Sequence, residues 1–300
     1  LRVLPEFPWL FFILPFGITF RALLYNFGFE LNFLDHFDKK KVGGQLSTLA
    51  ILSIMSTVLS PMVAGLIIAY FGYGLIFIIG SIILLVSTLP LFTSNDCKHN
   101  IDFTLKDITK IFTARKSANM LLSFSGYAIE SSIGRNIWPL FLIITFGAVE
   151  KVGYIAAIAA FLTVVVISIT GKLSDKYNPK KLLRLGTMLY FFGWLGCLLA
   201  DTAFKTFLAN SYRSVMERFV ILPWQSILYR IVNKENYFRL TVLQDMTFNA
   251  SRVLIVPFLM LIFTINYYPY HISFIIAALF TLLYPLLNKA GNDDITNLNI

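Results

Sequence analysis

The stretch Gly171-Lys172-Leu173-Ser174-Asp175-Lys176-Tyr177-Asn178-Pro179-Lys180-Lys181 sets one acid and four lysines between two apolar runs, about 152–170 and 182–200. Runs of that length match the roughly 20 residues a helix needs to cross the ~30 Å hydrocarbon core of a bilayer. Lysines crowded between two such runs hold that end of the helix pair on the cytoplasmic side. In this reading Asp175 falls just past a helix end, where it can accept from backbone donors of the next helix or meet a basic partner. Asn178 tolerates left-handed backbone and supplies the turn. On charge alone the stretch is a short basic cytoplasmic loop.

The rest of the chain agrees with that medium. Of its 300 residues 57% are hydrophobic and 14% charged, against about 25% charged in soluble domains, and the mean hydropathy is +0.73. Together with the run lengths this defines an all-α integral membrane protein, since barrel strands would read as short alternating segments. Nine apolar segments stand out, at about 8–29, 44–70, 72–93, 119–147, 152–171, 182–201, 203–230, 238–266 and 269–288. Seventeen basic residues, among them Lys39–Lys41, Lys98, Lys106, Lys172, Arg230 and Lys289, fall on one side of these spans, and Arg2, Lys151 and Lys205 on the other. The bias places the first set and the C-terminus in the cytoplasm and residue 1 outside, in the inner membrane of a bacterium. It also explains the net charge of +9 without nucleic acid. The implied partner is the bilayer.

Residues 94–118 form the longest internal loop. Phe103, Ile108, Ile111 and Phe112 alternate there with Lys106, Lys110 and Lys116, which predicts an amphipathic helix on the inner membrane surface. The loop divides residues 1–93, with three spans, from residues 119–290, with six. Residues 291–300 are polar and expected to be disordered. Cys97 and Cys197 lie far apart and define no disulfide framework, and His36, His99 and His271 fall in separate loops and assemble no metal site. With no initiator Met and no leader with a cleavage site, the sequence reads as a fragment.

Gly171, Asp175, Lys176, Lys180 and Lys181, at their spacing, resemble the loop motif of the major facilitator superfamily (MFS) of secondary transporters, with Asn178 and Pro179 standing where that pattern has glycine and a basic residue. The resemblance implies an MFS-type helical bundle, in which residues 1–93 are the last three helices of a first half and 119–290 the complete second half. A second stretch points the same way. Ser47, Ser56, Ser60, Pro61, Ala64 and Gly65 stand near the positions of the family's antiporter motif. Small residues at that spacing let helix backbones approach, and proline bends the helix. This match implies export by antiport; an ordinary close-packed helix contact is the other reading.

Five arginines and three acids fall inside the spans: Arg21, Arg135, Arg213, Arg218 and Arg252 against Glu130, Glu217 and Asp245. Each costs about 2.5–3.5 kcal/mol on insertion scales, so they should face one another or a watery cavity. Arg213 and Glu217 are four apart, within pairing distance on one helix face. Asp245 and Arg252 are two turns apart and share a face, whereas Glu130 and Arg135 point different ways and need partners elsewhere. Glu130 is the first candidate for a proton-linked acid, with Asp245 second. Arg135, Arg218 and Arg252 are candidates to bind an anion, because guanidinium fits carboxylate and phosphate. No cluster of nucleophile, base or metal ligands marks an enzyme and no cofactor is implied. A carrier of neutral solutes such as sugars and a non-transporting sensor stay open at this point.

Overall fold

The computed structural model describes residues 40–93, 117–146, 149–231, 237–265 and 268–289, with isolated positions between 13 and 38. Helix α1, Val42–Thr93, is interrupted at Gly72, where φ of 76° and ψ of 176° separate two apolar helices. That backbone angle lies in the region open to glycine. Helix α2 (Ala118–Ser132) runs through a π-helical turn (Ile133–Ile137) into α3 (Trp138–Phe146). Next come α4 (Val149–Lys176), α5 (Pro179–Cys197), α6 (Ala203–Ile231), α7 (Tyr237–Ile265) and α8 (Pro269–Thr281), the last followed by a 3-10 turn over Tyr284–Lys289. These elements match the segments expected from about 44 onward. The segment at 8–29, the amphipathic stretch at 103–116 and the tail at 291–300 lie outside the described residues or are only sparsely covered.

Local chemistry accounts for the joints. Pro139 has no N–H, and its ring would collide with the carbonyl four residues back, at Arg135. The π-helical turn contains that position, and the Trp138 N–H donates to the Ile133 carbonyl instead. Pro223 and Pro257 sit inside α6 and α7, where they remove one rung each. Pro269 starts α8, a position whose N–H has no helical acceptor anyway. His271 is in the first turn of α8 rather than in a loop.

Helices α2 to α8 form one bundle. Helix α6 packs on both α4 and α5, α2 packs on α7 and α8, and α5 packs on α8. Phe124, Tyr190, Trp194, Trp224, Phe274 and Tyr284 fill its centre. Helix α1 joins through its first turns, where Val42 and Leu46 pack on Ile167 of α4 and Leu222 of α6. From Val63 to Leu89 no described side chain of α1 is buried, as expected of a helix whose neighbours are lipid or further protein. Four stretches among the described residues are long and apolar enough to cross a membrane: Val42–Ser60, Val63–Leu89, Arg239–Ile265 and Pro269–Lys289.

Candidate functional site

The Gly171–Lys181 stretch is mostly not a loop. Helix α4 continues through it to Lys176, and only Tyr177 and Asn178 separate α4 from α5. Asn178 is not left-handed. At φ of −67° and ψ of 111° it is the extended N-cap of α5, and its Oδ1 accepts from the Lys180 N–H at 2.9 Å. The sequence pairs this N-cap with proline at the first helical position, and that local solution displaces the turn expected from asparagine's tolerance of positive φ. Lys180 also reaches across the bundle, donating from Nζ to the Asn288 carbonyl at 3.1 Å. Lys176 and Lys181 are exposed.

Asp175 lies in the last turn of α4 and does not cap the helix that follows. Its Oδ1 and Oδ2 accept from the N–H groups of Gly43 and Gly44, both at 2.7 Å. Those are free donors at the start of α1, where the helix dipole favours an anion. Arg230 of α6 completes the clasp, with Nη2 3.5 Å from Asp175 Oδ1 and 3.1 Å from the Ser174 carbonyl. Glycine is required on both sides. A Cβ on Gly43 would lie 2.7 Å from the Gly171 carbonyl, and one on Gly171 would lie 2.5 Å from Ser47 Cβ. The close approach of α1 therefore falls at Gly43, Gly44 and Ser47. Further along, Ser56 and Ser60 are exposed, Pro61 follows them in the helix, and a Cβ on Gly65 would meet nothing within 4 Å.

A second carboxylate sits in the centre of the bundle. Glu130 is 2% exposed. Its Oε1 accepts from Tyr190 Oη at 2.5 Å and Trp194 Nε1 at 3.1 Å, and its Oε2 from Tyr284 Oη at 2.6 Å. Three donors from two other elements thus converge on one α2 side chain. Gly134 lies beside it: a Cβ there would come within 3.4 Å of Arg213 Nη1 and 3.5 Å of Glu130 Oε1. Arg213 is buried with its guanidinium 4.8 Å from the Trp194 ring and 5.2 Å from the Trp138 ring. Both distances suit cation–π attraction. Trp138 is fixed in turn by Nε1 donating to Asn210 Oδ1 at 2.7 Å. The expected pair of Arg213 with Glu217 forms at 3.8 Å.

The remaining embedded charges lie apart from Glu130. Arg135 folds back along α2 and donates to the Ser131 carbonyl and Oγ at 3.3 and 3.1 Å. Arg252 lies 5.7 Å from the Phe248 ring and 3.5 Å from Asn249 Oδ1. Arg218 is half-buried on α6. Among the described residues none of Arg135, Arg218 and Arg252 forms an ion pair. The sequence reading named the charges but missed Tyr190, Trp194, Tyr284, Trp138 and Gly134. One available signal was Tyr190 and Trp194, four apart and so on one helix face, each with an apolar body and a donor tip.

A bundle of long apolar helices with charged side chains deep inside it has the make-up of an integral membrane protein. The chain matches the family model of the Major Facilitator Superfamily over residues 120–290, more than half its length, and belongs to that family. It is an integral membrane protein that moves a small solute. No curated protein matches the chain.

Proposed function

We propose that the protein exports a small anionic or amphipathic solute in exchange for protons, by alternating access around a cavity at the membrane midplane. In this reading residues 119–290 form one half-bundle and the helices up to residue 93 belong to the other, and the two rock about the solute. The observation that carries the proposal is the placement of Arg135, Arg218 and Arg252. Arg218 and Arg252 sit near the midpoints of 29-residue helices, and Arg135 sits in the π-helical turn between α2 and α3. Three guanidinium groups within the expected spans and without a paired carboxylate among the described residues are too costly to leave in hydrocarbon. A water-filled path for an anion accounts for them. Export is the direction implied by the resemblance of Ser56, Ser60, Pro61 and Gly65 to the family's antiporter motif, and the basic end of the bundle is the cytoplasmic one by its lysines.

Glu130 is the proposed proton-linked acid and Asp245 the second candidate. Glu130 has three hydrogen-bond donors and Arg213 close by, yet no ion pair of its own among the described residues. Protonation would free Arg213 to engage Glu217 alone. The Asp175 clasp between α4 and α1 holds the basic end closed in this arrangement, and it must open for the solute to enter. The test is flux in reconstituted vesicles under an imposed pH gradient. Glu130→Gln is expected to abolish pH-driven flux while solute exchange continues; wild-type pH-driven flux in that variant overturns the assignment.

A further inference from the structure

At the lysine-rich end of the bundle, the turn from α4 into α5 and the end of α6 line an open pocket of about 450 Å³. The turn contributes Tyr177, Pro179 and Lys180, and α6 contributes Ile227, Arg230 and Ile231. Ile227 and Ile231 stand four apart on one helix face and give the pocket an apolar strip. Its two cations have donors to spare. Among the described residues Lys180 pairs with no carboxylate, and its Nζ donates to the Asn288 carbonyl. Arg230 reaches the Ser174 carbonyl and Asp175 through Nη2, and its Nε–H has no acceptor among the described residues. An ammonium offers three donors and a guanidinium five, so both have room for a further anionic partner.

The chain's own last residues start at the rim of this pocket. The 3-10 turn over Tyr284–Lys289 is tied there by Asn288, whose carbonyl accepts from Lys180 Nζ at 3.1 Å and whose Nδ2 donates to the Lys180 carbonyl at 3.2 Å. Residues 290–300, outside the described residues, read Ala-Gly-Asn-Asp-Asp-Ile-Thr-Asn-Leu-Asn-Ile, with two acids and no base. We infer that Asp293, Asp294 and Ile295 dock in the pocket, the carboxylates on Lys180 and Arg230 and the isoleucine on Ile227 and Ile231. Asp293 is four residues past Lys289, a reach of up to ~14 Å. So short a tether keeps the carboxylates near the cations at an effective concentration in the millimolar range. Ion pairs too weak to recruit a free partner then suffice. The segment 232–236 that follows Ile231 carries one lysine and one glutamate, hence no net charge to draw it to the same cations. Because Arg230 also contacts Asp175, the docked tail competes for the guanidinium that secures α4 to α1, and so tunes how readily that clasp opens, whatever the solute.

The experiment is photocrosslinking of the full chain in lipid nanodiscs, with p-benzoylphenylalanine in place of Tyr177 and the linked peptides mapped by mass spectrometry. Links from position 177 to residues 290–300 within one copy are expected. Asp293→Asn together with Asp294→Asn should lower their yield by about fivefold, and about 0.5 M sodium chloride should lower it in the unaltered tail as well. Both tail changes lie outside the packed bundle, and thermal melting beside the parent checks that it stays folded. Links only to residues 232–236, to lipid or between copies overturn the inference. So does a tail link whose yield is the same in the asparagine variant and at high salt.

Discussion

Asp175 and Glu130 are both carboxylates that collect donors from other helices, but they do so in different media. Asp175 keeps a fifth of its side-chain surface open and takes main-chain N–H groups from the start of α1, assisted by Arg230. Glu130 is enclosed and takes only side-chain donors, two phenols and an indole, from α5 and the final 3-10 turn. The first can exchange its partners for water when α1 and α4 separate. The second has no such alternative, so its donors would be stranded if it left. One site is suited to open and close, and the other to hold α2, α5 and the last turn in fixed register.

That contrast is open to direct attack. Glu130→Ala strands three buried donors and leaves Arg213 less compensated, so a loss of about 3–5 kcal/mol is expected, seen as a large fall in melting temperature or in folded yield. Asp175→Asn keeps one acceptor oxygen and loses the charge, with an expected cost of about 1.5–3 kcal/mol at most, because its donors regain water. Equal losses at the two sites would remove the distinction drawn between them. Gly171→Ala drives a methyl group into Ser47 and within 2.9 Å of the Gly43 carbonyl; overpacking of that kind costs about 1–3 kcal/mol. Gly65→Ala on the same α1 should be close to neutral, and a comparable loss there would show that the helix approach lies elsewhere. The smallest effect belongs to Asn178→Ala, about 1 kcal/mol for a lost N-cap. Asn178→Gly should cost a few tenths of a kcal/mol, and stabilisation by glycine would restore the left-handed turn that the extended backbone excludes.

Much of the fold was written locally. Apolar runs, alternating lysines, and breaks at Gly72 and Pro179 are properties of neighbouring residues, and the helices from α1 to α8 fall where those patterns put them. The end of α4 was misplaced because Gly171–Lys176 is polar enough to read as loop, whereas the clasp on α1 lets it stay helical. At the site, Arg213 with Glu217 was visible because four residues bring two side chains together on a helix. The partners of Glu130 were not, since Tyr190 and Tyr284 are 60 and 154 residues away and only packing decides that they meet it. Likewise, nothing in the spacing of Tyr127, Trp224 and Phe248 announces that three helices would bring their rings together.

The central claim is that guanidinium groups halfway along their helices line the path of an anion. It is tested most directly by uptake of a panel of radiolabelled small organic anions into proteoliposomes carrying the protein, driven by a pH gradient, with Arg252→Gln and Arg252→Lys measured beside the unaltered chain. The account predicts that Arg252→Gln transports at the protein-free background while Arg252→Lys keeps a measurable fraction of the rate. Wild-type flux in Arg252→Gln would contradict it.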